Sequence, residues 1–271
     1  VVGQSVLGLL VESQDGRPIK VEGNPRHPGS LGKATAWAQG AIMDLYDPDR
    51  GREPQQGGSP SSWAAWEAFA ATHFAGLKGS GGKGFAVLLE DGRSPTVDRM
   101  LAQLRSSFPQ LRLFRHDAAA RPNSLAGTDA VGLSGLSPVP DLTRADLILA
   151  LDCDFLGTDG DVVRNTQAFS AGRKVDDGSS SMSRLYAVEP AFSVTGMMAD
   201  NRLRLPASQV RNFLIALAHK LFQSGLAVPA GAQDVVDALR PSQLNPTSEA
   251  WVEQVAKDLL AHKGGSLVMV G

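Results

Sequence analysis

Short apolar runs alternate with longer segments whose apolar residues recur at helical spacing along most of this chain. The predicted strands cover 85–89, 111–115, 146–151, 184–189, 202–205 and 266–270, and the predicted helices cover 63–77, 95–107, 160–171, 207–223, 231–239 and 247–262. This alternation predicts an α/β fold with a doubly wound, mostly parallel sheet and helices on both faces. The wholly apolar run at 85–89 is expected to be a buried strand.

The first fifty residues follow a different pattern. Asp15-Gly16 lies between the strand-like segments 5–12 and 18–22, and such a dipeptide between apolar runs favours a β-hairpin. We therefore expect residues 1–54 to form a small hairpin and a Pro-rich segment packed on the main body, and residues 55–271 to form the α/β domain. In residues 116–144 the apolar residues show no helical or strand periodicity, which predicts a long irregular segment. The chain is expected to be a fragment of a longer protein.

Composition excludes several classes of function. The 271 residues carry a formal net charge of −2 with both signs interspersed, which argues against a nucleic-acid partner. No apolar run approaches the ~18 residues that a membrane span needs, so no direct span is expected. Cys153 is the one cysteine, and five His residues lack ligand spacing. An iron–sulfur cluster takes about four thiolates, so neither a cluster nor another metal site is expected within this sequence.

Four motifs in combination resemble one superfamily. They are Gly23-Asn24-Pro25-Arg26-His27-Pro28 followed by Leu45-Tyr46-Asp47-Pro48-Asp49-Arg50, the stretch 152–158 (Asp-Cys-Asp-Phe-Leu-Gly-Thr), the run 186–190 (Tyr-Ala-Val-Glu-Pro) and the block 195–206. In this order they resemble the main body of molybdopterin-dependent oxidoreductases. Within that superfamily the chain is most similar to the molybdopterin-oxidoreductase-like part of the large iron–sulfur subunit of alternative complex III, a bacterial quinol-oxidising respiratory complex.

The resemblance implies a function and a setting. Relatives of that subunit have the molybdopterin-type fold without molybdopterin, and their iron–sulfur clusters lie in a separate domain. The implied role is a scaffold within a respiratory electron-transfer complex, not catalytic by itself and without a cofactor of its own. The implied partners are the other subunits of a membrane-associated complex, through which the protein would be held at the periplasmic side of the membrane.

Four residues occupy positions that match the pterin-dinucleotide loops of cofactor-bearing relatives: Asp152, Asp154, Thr158 and Glu189. Ligands of such sheets bind beyond the carboxyl ends of the strands. However, Asp152 and Asp154 replace small neutral residues, and two carboxylates repel a diphosphate. We therefore expect the four positions to be vestigial, with no catalytic residue among them. A purely structural interpretation is that the carboxylates cap helix 160–171.

Two other functions stay open. The first is an active molybdenum or tungsten bis-pterin oxidoreductase, for example a polysulfide-reductase-like catalytic subunit that binds molybdopterin guanine dinucleotide. It requires a metal ligand, for which Asp117 and Ser124 are chemically suitable but match no pattern. The second is a nucleotide-binding α/β enzyme, which needs a Gly-x-Gly-x-x-Gly turn after a strand. The Gly-rich segment 79–84 instead follows a helix and precedes a strand, so a flexible connector is predicted there.

Overall fold

The computed structural model describes residues 6–90, 94–117, 122–134, 136, 138–176, 178, 181–228, 233–240 and 243–271, with the backbone alone for 122–125 and 235. The chain divides into two compact units, residues 1–120 and 121–271. The boundary predicted after residue 54 falls inside the first unit, and that division of the chain stays a prediction.

Helices and strands alternate along the chain. In the first unit they are β1 (Leu9–Gln14), β2 (Arg17–Gly23), α1 (Ala36–Gly40), a 3-10 helix (Ala41–Leu45), β3 (Gln55–Gln56), β4 (Ser59–Pro60), α2 (Trp63–Gly79), β5 (Ala86–Leu89), α3 (Pro95–Ser107) and β6 (Arg112–Arg115). In the second unit they are α4 (Pro122–Ala130), a 3-10 helix (Leu142–Arg144), β7 (Leu147–Leu151), α5 (Val162–Gly172), β8 (Arg184–Glu189), α6 (Val194–Met197), β9 (Asn201–Arg204), α7 (Ala207–Gln223), α8 (Gln233–Ala238), α9 (Pro246–Ala261) and β10 (Ser266–Val270).

The predicted hairpin is present as β1 and β2, which pair antiparallel. Its two-residue turn is Asp15-Gly16, and both residues have positive φ angles, of 49° and 76°. Positive φ at both central residues is the geometry that joins twisted strands most closely and that favours Gly at the second position. The Tyr46 hydroxyl donates a 2.5 Å hydrogen bond to the Pro18 carbonyl, which joins the segment Leu45–Arg50 to the hairpin.

Strands β5 and β6 pair in parallel, as predicted, but the expectation that residues 85–89 are buried is wrong. Leu88 is 70% exposed. Among the described residues of this unit the sheet has two strands, and Ala86 and Leu88, which share one face of it, are both exposed. The core on the other side is aromatic. Phe85 and Phe108 meet edge to face with ring centroids 5.4 Å apart, and Phe74 of α2 packs against both.

The second unit contains a parallel sheet whose four described strands have the order β10-β7-β8-β9. The chain crosses the sheet in one direction from β7 to β9 and then returns through α7, α8 and α9 to β10, beside β7. The reversal next to β7 is a topological switch point, the position where open α/β sheets bind ligands beyond the carboxyl ends of their strands.

Strand β7 is buried on both faces, because its residues alternate between two layers of helices. Leu147, Leu149 and Leu151 belong to the core formed with α7 and α9. Ile148 and Ala150 belong to the core on the opposite side, formed with Phe169 of α5. The doubly wound α/β architecture is therefore confirmed.

The interval 116–144 is more regular than the sequence indicated. It contains α4 and the 3-10 helix at Leu142–Arg144. Helix α4 has almost no apolar periodicity (its sequence is PNSLAGTDA), so the hydrophobic pattern could not reveal it. In the described part of the chain, no helix is both long and apolar enough to cross a membrane.

Candidate functional site

The candidate site lies at the carboxyl ends of β7 and β8, next to the switch point. Because the two strands are parallel neighbours with Leu151 opposite Val188, the residues that follow them meet at one edge of the sheet. The Asp152 N–H donates to the Val188 carbonyl at 2.8 Å. The segment that begins at Asp152 and the segment that ends at Glu189 therefore lie side by side.

Asp152 leaves β7 in the left-handed backbone region, with a φ of 48°. This conformation is unfavourable for most residues and is best tolerated by Gly, Asn and Asp. Its side chain is exposed overall. Even so, partial burial of the carboxyl group raises its pKa, and the negative charges of Asp159 and Glu189 raise it further. Asp152 therefore lies close to two other carboxylates at the strand end.

Asp154 turns inward and binds the segment after β8. Its Oδ1 accepts hydrogen bonds from the backbone N–H and from the hydroxyl of Thr195, both at 2.9 Å. The same Thr195 hydroxyl accepts a hydrogen bond from the Leu156 N–H at 3.1 Å. Thr195 is completely buried. Asp154 thus joins the loop after β7 to the start of α6.

The backbone of the loop after β7 is also hydrogen-bonded internally. The Asp154 carbonyl accepts from the N–H groups of Gly157, Thr158 and Asp159 at 3.0, 2.9 and 2.8 Å. The Asp154 N–H donates to a carboxylate oxygen of Asp159 at 2.7 Å. The hydroxyl of Thr158 donates to the other carboxylate oxygen at 3.1 Å. These donors are thereby used within the loop.

Glu189 is buried, with 5% of its surface exposed, and is fully bonded. Its Oε1 accepts from Nε of Arg202 at 2.6 Å and from the Ser193 N–H at 3.3 Å. Its Oε2 accepts from the Ser193 hydroxyl at 2.5 Å. The Arg202 guanidinium lies 4.0 Å from the centre of the Phe192 ring, in a cation–π contact. A buried carboxylate is tolerated here because it is paired and hydrogen-bonded.

The interpretation that Asp152 and Asp154 cap the helix after β7 is wrong. The residue that caps α5 is Asp161, whose side chain accepts a 3.1 Å hydrogen bond from the Arg164 N–H. The helix begins at Val162, two residues later than predicted, and the Asp154 side chain bonds to Thr195 instead. The roles of Thr195 and Arg202 were not predicted, although both residues lie in the block 195–206 that carried the resemblance.

The described residues do not fit a pterin dinucleotide at this edge. A diphosphate needs unoccupied N–H groups or cationic side chains. Here the N–H groups of residues 157–159 bond to Asp154, Arg202 is paired with Glu189, and Asp152 adds negative charge. The four predicted positions do cluster, but two of the carboxylates serve internal contacts. Their assignment as vestigial cofactor positions stays a prediction.

A metal ligand is the other requirement of an active redox site. The described residues include no group of three or more His, Cys, Asp or Glu side chains that could hold a metal ion. The side chain of Ser124 lies outside the described residues, and Asp117 follows β6 in the first unit. Their suitability as metal ligands stays untested.

Comparison with known proteins agrees with this architecture. The chain is 26% identical over 238 residues to the menaquinone reductase, molybdopterin-binding-like subunit, of Nitratidesulfovibrio vulgaris strain Hildenborough. The match covers 87% of this chain and 34% of the relative, so the chain spans about a third of the length of the curated relative that it matches. No protein-family model matches the chain.

Among solved structures, acetylene hydratase from Pelobacter acetylenicus superimposes with a TM-score of 0.58 at 12% sequence identity. The superposition covers 99% of this chain and 39% of that one. The first comparison confirms the predicted resemblance to molybdopterin-type oxidoreductases, and the superposition confirms the predicted fold class. The closer likeness to the alternative complex III subunit stays a prediction.

Proposed function

We propose that this chain is a scaffold within a quinone-linked respiratory electron-transfer complex and that it binds no pterin dinucleotide at the β7–β8 edge. Similarity to a protein described as a molybdopterin-binding-like subunit of menaquinone reductase supports an oxidoreductase-like scaffold. The respiratory role and the missing cofactor go beyond that similarity. On this proposal the redox centres, including any iron–sulfur clusters, belong to other parts of the complex.

The observation that carries the proposal is the internal bonding of the strand-end carboxylates. Asp154 is held by Thr195, and Glu189 is held by Ser193 and Arg202. A site that retained a diphosphate would gain from donors that point outward, since each charge-assisted hydrogen bond strengthens binding of the anion. Here the donors serve the fold instead.

Exposed aromatic side chains support a role in assembly. In the first unit, Trp37, Trp63, Trp66 and Phe69 are between 50% and 80% exposed. Helix α2, which carries three of these, has no fully buried residue within the described part of the chain. Trp66 and Phe69 of this helix contact each other, with ring centroids 5.7 Å apart, and exposed apolar surface of this kind marks places where other protein covers the molecule. We propose that other parts of the complex cover this exposed aromatic surface. The complex itself is proposed to lie at the periplasmic face of the membrane.

The experiment is metal and pterin analysis of the intact complex, purified from cells that also make an active molybdoenzyme. Molybdenum and tungsten are measured by mass spectrometry and pterin by the fluorescence of its oxidised form, each relative to the subunit. We expect both far below one equivalent, while the molybdoenzyme from the same cells carries a full complement. A full equivalent of metal and pterin in the complex would instead indicate an active molybdenum or tungsten oxidoreductase.

Location is tested separately by adding protease to intact spheroplasts of the native organism. We expect the subunit to be digested while a cytoplasmic marker survives. Protection of the subunit until the inner membrane is lysed would contradict a periplasmic location. It would leave the scaffold proposal for the fold intact.

A further inference from the structure

Two carboxylates at the β7–β8 edge receive a set of donors of the kind that binds phosphate-type anions. Glu189 accepts from the Ser193 N–H, the Ser193 hydroxyl and Arg202. Asp154 accepts from the N–H and the hydroxyl of Thr195. Backbone N–H groups, hydroxyls and an arginine within one short segment are the groups that proteins use to hold oxyanions.

Each of the two carboxylates also lies against a glycine, where a side chain would occupy the same space. A Cβ atom added to Gly157 would overlap the carboxylate of Asp154, and one added to Gly196 would overlap the carboxylate of Glu189. Neither glycine has a positive φ, so backbone conformation does not explain its presence. Space for a carboxylate does explain it.

We propose that Asp154 and Glu189 are built-in anions, which occupy from within the donor set that would otherwise bind an external phosphate or diphosphate group. This inference rests on the proposed function and gives its physical cause. The edge is closed to anions because its own side chains already fill it, and removing the Glu189 carboxylate should open it. The Arg202 side chain is only 19% exposed and loses its partner in that variant, so an external anion becomes its best available counter-charge.

The experiment measures binding of inorganic pyrophosphate by equilibrium dialysis to the full-length protein and to Glu189→Ala. We expect saturable binding by the variant and none by the unaltered protein at concentrations up to at least about tenfold above the dissociation constant of the variant, since a charge-assisted hydrogen bond is worth roughly this factor or more. The matched control is Asp161→Ala, which changes net charge equally but removes only the α5 cap. The control should behave like the unaltered protein.

Should Glu189→Ala fail to fold, Glu189→Gln keeps the shape of the side chain while removing its charge. This variant is also expected to bind pyrophosphate more tightly than the unaltered protein. Saturable pyrophosphate binding by the unaltered protein would overturn the inference, and so would a folded variant that gains none. These results are separable from the proposed function. A complex free of pterin whose Glu189 variant gains no binding would refute the built-in anion alone, whereas pterin in the complex would refute the proposed function directly.

Discussion

Thr195 provides the sharpest test of the contacts at the strand ends, because one buried hydroxyl serves two segments. It donates to Asp154 and accepts from the Leu156 N–H, at 2.9 and 3.1 Å. Thr195→Val removes the hydroxyl at nearly constant shape. The variant loses one hydrogen bond to a charged group and leaves a backbone N–H unpaired.

Each of these two losses costs on the order of 1–3 kcal/mol. Because Asp154 keeps its bond from the Thr195 N–H, we expect a combined loss of about 2–4 kcal/mol in the free energy of unfolding of the second unit. Thr195→Ser is the matched control. It retains the hydroxyl and loses one methyl group, so a cost of about 1 kcal/mol is expected.

The assay is urea denaturation followed by the fluorescence of Trp251, whose ring packs edge to face on Tyr186 with centroids 5.7 Å apart. Replacing the three exposed tryptophans of the first unit by Phe leaves Trp251 as the reporter of the second unit. Equal midpoints for the Val variant and the unaltered protein, or a larger loss for Ser than for Val, would refute the assigned hydrogen bonds.

Three further predictions concern single side chains. Gly196→Ala should destabilise the second unit by about 1–3 kcal/mol in urea denaturation, because the new methyl group displaces the Glu189 carboxylate from its donors; an unchanged midpoint would contradict this. Asp152→Asn should raise stability at pH 7 by a few tenths of a kcal/mol, a small effect because the side chain is exposed. Because the pKa of Asp152 is raised, the stability of the unaltered protein falls as pH rises above the ordinary pKa of Asp. The charge-dependent part of the stability gained by Asp152→Asn should therefore vanish at about pH 3. A gain that grows on acidification would contradict this prediction. The bidentate hydrogen bonds from Arg173 hold the pKa of Asp200 below its ordinary range, so the stability they contribute is present at neutral pH and lost as pH falls through the depressed pKa. Asp200→Asn should remove about 1 kcal/mol at pH 7 and flatten the acid limb of the stability curve, which a pH series of denaturation midpoints would show or refute.

The pattern of apolar residues along the chain was enough to predict the α/β architecture of the second unit. The run at 146–151 predicted a buried strand, and β7 is buried on both faces because two layers of helices cover it. The same reasoning failed for β5, where the sequence is equally apolar but the described residues supply no second layer. Burial depends on what covers a strand, which its own sequence does not contain.

The sequence indicated the strand ends as the place to look for a site, but it did not indicate how the side chains there are bonded. Strand ends identify where Asp152 and Glu189 lie, since parallel strands finish at a common edge. Thr195, the partner of Asp154, is 41 residues away, and Arg202, the cationic partner of Glu189, is 13 residues away on β9. Such pairings follow from the register of strands and from the course of α6, and neither is determined by spacing along the chain.

The most direct measurement is an electron cryo-microscopy map of the intact complex at a resolution that shows side chains at the β7–β8 edge. We expect the Glu189 carboxylate to lie against Arg202 and Ser193, with Asp154 on Thr195 and no dinucleotide beside them. Density for a pterin dinucleotide at this edge, with Glu189 turned away from Arg202, would contradict the proposed scaffold.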